Sequence, residues 1–492
     1  MRKTYIMLTI PLTKKIWTST ISFIFIISCS LFTSCKKFVD VEPPENQLVA
    51  ESVFINDATA ISALTSIYSL MTDENTIPYL IPELTGLTGD ELVTYSSFDD
   101  KIQAYQNGLN PVDASTNSIW NLAYKCIYNA NTVYEECNKS TQLKEAVKTQ
   151  LMGEARFIRA FWHFYLANLF GDVPLVTSTD YRINATLKRQ PQEEVYKQIV
   201  TDLTEAKSLL NAEYVAGNSY ETGGDRIRPN KSAAAALLSR VYLYMKNYQA
   251  AETEATTVIS NPLYKIVDVT HAFNKDSEEA IWQLAKPDPT SDVNTWEGAY
   301  FILNERPASF WNNSSVISNQ LLESFDDADL RKSSWIGKVI DSDNGQPTEY
   351  SFPFKYKVQY SSDISEYSIV LRLAEQYLIR AESRAEEGNI AAAIDDLDIL
   401  RTRAGVPLLS ETNPTIPQQQ LLDEVYKERQ KELFAEWGHR WMDMKRSGRI
   451  NEIMQAVSPL KGGAWNPNKQ YWPIPQRELD NNSNLIQNLG YN

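Results

Sequence analysis

Histidine is scarce here: three residues in 492, His163, His271 and His439, a thin supply for general acid–base chemistry or metal ligation, where imidazole is the usual group. Cysteine is nearly as sparse at four, and the spacing matches no zinc site. Cys126 and Cys137 share the stretch "SIWNLAYKCIYNANTVYEEC", whose period reads as one helix. That would hold them about 16 Å apart, beyond the about 7 Å that a disulfide tolerates, so both read as inert thiols. Basic charge is also in deficit, 47 Lys and Arg against 62 Asp and Glu for a net −15. This disfavours nucleic acid and electrostatic docking on anionic lipid. No Gly-rich phosphate loop, His-Glu-x-x-His helix or Gly-x-Ser-x-Gly elbow occurs, and no cofactor is implied. Two acidic stretches, "DADLRKSSW" and "DSDNGQPTE", hint at calcium. The glycine of the second falls at the fifth place, where an EF-hand loop needs the sixth, so a turn is expected and no metal.

Long apolar runs are missing too. The strongest, 21–27, is far short of the about 20 residues that span a bilayer. It follows Arg2, Lys3, Lys14 and Lys15 and ends in small residues, the grammar of a secretory signal rather than of a permanent anchor. Phe32-Thr33-Ser34-Cys35 has the form of a bacterial lipoprotein cut, with Cys35 receiving the lipid. Ile26-Ile27-Ser28-Cys29 is the alternative, but it would leave apolar "SLF" at the mature terminus, whereas the Cys35 cut leaves a polar one. Residues 1–34 therefore read as signal peptide and 35–55 as an extended tether, kept from helix by Pro43-Pro44. Loss of the four basic residues takes the charge from −15 to −19.

What the chain does have is helical period. Apolar residues at three-and-four spacing mark candidate helices over 56–71, 116–138, 142–170, 192–210, 229–245, 248–260, 366–387, 390–403 and 419–437. Between 271 and 367 the pattern changes to short alternating pieces with an Asn344-Gly345 hairpin signal. Two helix pairs repeat: Ser239 and Ala251 are twelve apart, as are Ala381 and Ala393, the spacing at which tetratricopeptide repeats place small residues so that antiparallel helices can touch. The expected fold is mainly α, an α-α superhelix of tetratricopeptide-like hairpins with an irregular, partly β insertion. Its regions are an N-terminal helical part (56–265), the insertion (266–365) and a C-terminal helical part with its tail (366–492).

The blocks "EARFIRAFWHFYLANLFGDVPLV", "KSAAAALLSRVYLYMKNYQAA", "YLIRAESRAEEGNIAAAIDDLDILRTRAG", "KERQKELFAEWGHRWMDMKRSG", "YWPIPQREL" and "NLIQNLGYN" occur in an order that resembles SusD/RagB-type outer-membrane lipoproteins. Gln430, and "QNLGYN" for a commoner "QNPGY", are small departures. The resemblance implies a lipid-tethered cell-surface protein, not an enzyme. It also implies a partner, a TonB-dependent SusC-type barrel that the lipoprotein covers as a hinged lid, capturing oligosaccharide or peptide. A tetratricopeptide-type scaffold gripping a protein partner is the alternative.

Two residue sets bear on function. Glu428, Arg429, Glu432, Glu436, Arg440, Asp443 and Arg446 offer paired carboxylates, but Glu432 and Glu436 share one helix face, whereas glycoside hydrolysis needs carboxylates facing each other across the substrate. A structural ion network is expected, and His163, on an aromatic helix face, should be core. The second set is aromatic, at 11% of residues: sugar C–H faces stack on indole and phenol rings. Trp120, Trp162, Trp282, Trp437, Trp441 and Trp472 fall in periodic or family-like segments and read as core. Trp296, Trp311 and Trp335 fall in hydrophilic, loop-like sequence, with Tyr300 and Phe310 nearby. In the family the ligand face draws on that insertion and on the loop after the first helix, here "TGDELVTYSSFDDK" with Tyr95 and Phe98. Trp296, Tyr300, Trp311, Trp335, Tyr95 and Phe98 are therefore the expected ligand-binding residues, with Asn294, Asn312 and Asn313 as hydrogen-bonding neighbours.

Overall fold

The computed structural model describes residues 50–73, 77–286, 288, 290–310, 313–342 and 346–491. The signal, Cys35 and the tether up to residue 49 lie outside the described residues, as do Trp311, Asn312 and the Asn344-Gly345 turn; the end of the segment read as extended tether is a short helix, Ala50–Val53. Val53–Asn492 forms one compact unit, and apart from the short helix Ala50–Val53 the helices and strands of the described residues belong to it.

Several helices start where a side chain can accept an orphan amide. Asn56 caps Asp57–Met71 through Ala58 N–H, Asn230 caps Lys231–Tyr244 through Ala233 N–H, and Asn247 caps Tyr248–Ile259 through Ala250 N–H. Gly171 closes Glu145–Phe170 at φ 79° and Gly405 closes Ile390–Ala404 at φ 69°, backbone that favours glycine. Ala114–Lys139 packs on Glu145–Phe170, which packs on Gln192–Leu209. The stack continues through Lys231–Tyr244, Tyr248–Ile259, Leu373–Glu386 and Ile390–Ala404, with Gln418–Leu433 laid against Leu373–Glu386. Ser239, Ala251, Ala381 and Ala393 are all fully buried, so the small residues lie where helix backbones close on one another. Polar pairs then lock one hairpin to the next: Ser239 Oγ donates to Gln376 Oε1 at 2.7 Å, and Arg240 forks onto Glu375 with two bonds of 2.6 Å. The result is the expected mainly α, tetratricopeptide-like superhelix.

Two further details differ from the sequence reading, and the hairpin signalled in the insertion agrees with it. The segment Ser368–Arg372, read as the onset of a helix, is a strand paired antiparallel with Ala280–Leu284; all its residues are buried, so no alternation betrays it. Ile77–Thr88 is a helix despite Pro78 and Pro82, residues that argue against one. The insertion holds a hairpin, Ile336–Asp341 against Thr348–Pro353, in register from Ile336↔Pro353 to Asp341↔Thr348. Among the described residues no helix is long and apolar enough to cross a membrane. Both described thiols are buried and unpaired on the Ala114–Lys139 helix; burial pushes Cys137 up to about 12 and Cys126 higher still.

Candidate functional site

The acidic helix Gln418–Leu433 is committed to ion pairs. Arg331 holds Glu428 at 2.5 Å and Glu432 at 3.0 Å. Arg372 holds Glu432 at 2.5 Å, Glu436 at 2.8 Å and Glu279 at 2.9 Å, while Arg403 adds a bond of 2.5 Å to Glu432. Burial alone would raise the Glu432 carboxyl, but Arg403, Arg372 and Arg331 outweigh it and hold the group well below its ordinary range. The second half of the block closes likewise, Arg429 and Arg446 on Asp443, and Arg440 on Asp90. These contacts join the insertion to the last helices. His163 is buried, and burial lowers it to about 3.

Three of the expected ligand-binding aromatics belong to the interior. Trp335 is 0% exposed at the end of the Leu330–Trp335 helix. Its indole N–H donates to Val269 O at 2.7 Å, and its ring meets Phe273 edge-on at 5.5 Å. Its hydrophilic neighbours Asp329 and Arg331 are buried with it as an ion pair of 2.8 Å, so the polar sequence marks a buried network, not a loop. Trp296 and Tyr300 lie buried on the short helix Trp296–Phe301. Trp296 donates to Thr72 O at 2.8 Å and Tyr300 stacks on Tyr79 at 3.8 Å. Asn294 and Asn313 spend their amides on backbone carbonyls, of Ser361 and Asp363 and of Ala299 and Ile302 respectively. None of these five presents a free face to a ligand.

Tyr95 and Phe98 do, at 46% and 48% exposed. The strand Leu92–Thr94 pairs antiparallel with Ser315–Ile317, Tyr95 N–H continues the ladder to Ser314 O at 2.7 Å, and Ser97 N–H reaches Ser309 O at 2.8 Å. This short ladder joins the loop after the first helices to the insertion. Where they meet, Tyr95 and Tyr350 form an edge-to-face pair at 5.5 Å and 88°, and the pair lines two clefts at once. One cleft, of about 570 Å³, includes Asp90, Tyr105, Asn319, Gln320, Glu349 and Lys461; the other, of about 920 Å³, includes Asn304, Glu305, Arg306, Phe310 and Asp341. Phe310 is 65% exposed. Both volumes fall in the range of small-molecule sites. The floor of the first is fixed by Lys461, whose buried ammonium donates to Leu87 O and Gly89 O at 2.5 and 2.8 Å; burial lowers it to about 7 against the opposing pull of Asp90.

Tyr350 is not among the residues expected from the sequence. Burial along its strand runs from exposed Thr348 and Glu349 through half-buried Tyr350 to buried Ser351, Phe352 and Pro353, so no two-residue alternation marks this ring in the sequence. Among the described residues no group of three or more His, Cys, Asp or Glu side chains is placed to hold a metal ion.

Next to this floor Glu91 is buried; Oε2 accepts only a long bond of 3.5 Å from Ala435 N–H, and Oε1 has no partner among the described residues. Burial pushes the carboxyl up to about 8, reinforced by Asp90 and opposed by Arg440. A folded value above the ordinary 4.5 means that the folded state keeps a proton the unfolded state has released, so stability falls as pH rises through that window. Glu91→Gln removes this titration. It should be about 1–3 kcal/mol more stable than the wild type at pH 8, with the two curves converging at acid pH, as denaturant melts across the range would show.

Comparison with known proteins agrees with this fold. Residues 37–243 match a family model described as "Starch-binding associating with outer membrane", and residues 242–491 match the model described as "SusD family". SusD-like protein P25 of Formosa agariphila is 25% identical, the alignment covering 96% of this chain and 99% of that protein. The starch-binding protein SusD of Bacteroides thetaiotaomicron is 34% identical over a shorter stretch, 25% of this chain and 21% of that protein. Among solved structures, a SusD superfamily protein of Bacteroides vulgatus superposes with a TM-score of 0.76 at 20% identity, covering 89% of this chain and all of the other. A laminarin-binding SusD-like protein gives 0.72 at 22% identity, with the same coverage. With the two models together spanning 37–491, the chain belongs to the SusD family of carbohydrate-binding proteins associated with the outer membrane.

Proposed function

We propose that the protein is a lipid-anchored, cell-surface binder that captures an oligosaccharide at the Tyr95–Tyr350 ridge and passes it to a TonB-dependent SusC-type transporter. The observation that carries the reading is the ridge itself. Two phenol rings stand between clefts rimmed by Asn304, Asn319, Gln320 and Glu349, and the exposed Phe310 lines one of them, so apolar ring faces meet sugar C–H faces while amides and carboxylates take the hydroxyls. Phe98 extends the same exposed surface, and Trp311, beside Phe310 in sequence, remains a proposed contributor. An oligosaccharide is favoured over a peptide by the ligands of the relatives, starch and laminarin. The site is a binding site only: the carboxylates of the Gln418–Leu433 helix are taken up by arginines, which leaves them unsuited to proton transfer. Single alanine substitutions along the ridge, read by calorimetric titration with oligosaccharides, test the assignment.

Anchoring rests on Cys35 at the end of the apolar leader. Two acyl chains on one terminal cysteine give the double attachment that stable membrane residence needs. Cys35→Ala should move the protein from the membrane fraction to the soluble fraction. A variant that stays with the membrane, or a wild-type mass spectrum with Cys35 unmodified, overturns this part of the proposal. Co-purification of the wild type with a barrel-type transporter after mild detergent extraction tests the partner.

A further inference from the structure

A second aromatic cleft, of about 320 Å³, shares no lining residue with the two at the ridge. Its aromatic residues come from one face of Ala114–Lys139, where Trp120, Tyr124 and Tyr128 follow one another at four-residue spacing; its polar residues Asn184, Glu478 and Asn481 come from the 181–185 segment and the C-terminal tail. The cleft is built rather than incidental. Trp120 is buried and wedged edge-on against Phe170 at 5.0 Å, and Tyr124 is pinned by its hydroxyl, which donates to Pro174 O at 2.9 Å. The tail that forms the opposite wall is tied down by Asn482 Nδ2 to Leu187 O at 2.8 Å and by Asn488 Nδ2 to Phe170 O at 2.8 Å. Against this fixed frame Tyr128 is 49% exposed, and neither its ring nor its hydroxyl has a partner among the described residues. The Asn481 amide is equally without a partner among them, and the Glu478 carboxylate makes no ion pair or hydrogen bond there.

We infer that this cleft is a second, weaker sugar site, which takes a neutral pyranose unit of the same oligosaccharide class with one face on Tyr128 and its hydroxyls on Asn481 and Glu478. The inference rests on the glycan-capture reading in taking a sugar as the occupant. An aromatic face with adjacent open hydrogen-bonding groups fits a pyranose, apolar on its faces and polar at its edge. Among the described residues Glu478 is the only charged side chain in the lining, so uronates and sulfated sugars are repelled while neutral hydroxyls find an acceptor. A cleft of this volume, at the small end of binding sites, holds a short stretch of a glycan rather than a long chain.

The test is equilibrium titration of the purified protein with maltohexaose and with laminarihexaose, in the wild type, Tyr350→Ala, Tyr128→Ala and the double variant. The expected result is a weak binding phase that survives Tyr350→Ala and loses at least about ten-fold in affinity when Tyr128→Ala or Asn481→Ala is added, with melting temperatures unchanged. Absence of any phase in Tyr350→Ala, or a phase indifferent to Tyr128→Ala, overturns the second site. Tyr350→Ala binding as tightly as the wild type instead removes that ring from the ridge, and leaves the Tyr128 arm to decide this cleft by itself. Protection of Tyr128 by an extracted membrane partner, with no response to either sugar, assigns the cleft to a protein contact and also overturns the inference.

Discussion

Arg372→Met is expected to cost about 3–5 kcal/mol of folding stability, because it leaves buried carboxylates short of a counter-charge. The guanidinium reaches Glu279, Glu432 and Glu436 together and also donates to Glu432 O at 2.7 Å. It stands at the end of the strand Ser368–Arg372, where the insertion meets the C-terminal helices. The pH dependence identifies the cause. In the wild type the arginines hold Glu432 and Glu436 below their ordinary 4.5 against burial, so their contribution is present above that value and fades only as pH falls through the lower folded values. In Arg372→Met Glu432 keeps Arg403 and Arg331, whereas Glu436 loses the larger of its two cationic partners and keeps only Lys355, so Glu436 is the folded carboxyl that should titrate above its unfolded value. Stability is then lost as pH rises, the reverse slope. Melts at pH 5 and pH 8 should show the larger deficit at pH 8; an equal deficit at both would mean that lost packing, not stranded charge, is responsible. Arg372→Lys keeps a charge without the fork and should recover only part of the loss.

The second large effect is Trp335→Ala, expected to cost about 3–5 kcal/mol through the cavity left in the core. The indole fills the space between Phe273 and the cations Lys355, Arg403 and Arg372, which lie 4.9, 5.3 and 5.9 Å from its ring. It also satisfies Val269 O, so its removal strips an acceptor as well as packing. Ligand affinity of the folded fraction should not change. A variant that melts like the wild type but binds oligosaccharide poorly would return Trp335 to the ligand face that its sequence neighbourhood suggests.

That contrast shows what the sequence made legible. Helix period was enough to place most of the stack from Ala114–Lys139 to Gln418–Leu433 within a few residues of its observed ends, the start of Leu373–Glu386 excepted, because each helix buries one face and solvates the other. The small residues Ser239, Ala251, Ala381 and Ala393 pointed correctly to close helix contact. The site was half legible. Two segments that contribute to the proposed ridge were identified, and Tyr95 and Phe98 are exposed on them, but Trp296 and Trp335 are buried, Trp335 for a physical reason. Hydrophilic neighbours mark a surface loop only when charges are solvated. Here Asp329, Arg331, Glu428 and Glu432 are all buried and paired, so polar sequence surrounds a core ring. Tyr350 had the opposite problem: its exposure depends on which face of a six-residue strand turns inward, and that is settled by pairing with Ile336–Asp341, a contact no local pattern encodes.

Oligosaccharide capture at the ridge is tested most directly by calorimetric titration of the purified protein with maltohexaose and laminarihexaose, in the wild type and in Tyr95→Ala, Tyr350→Ala and Phe310→Ala. If an oligosaccharide is captured there, each substitution should weaken binding by about 1–3 kcal/mol, roughly five-fold to more than a hundred-fold, while thermal melts stay near the wild type. Tyr95→Ala and Tyr350→Ala should weaken it more than Phe310→Ala, since both phenol rings line both clefts and support each other whereas Phe310 lines one. Wild-type affinity in all three variants would contradict the central claim and place the ligand elsewhere on the molecule.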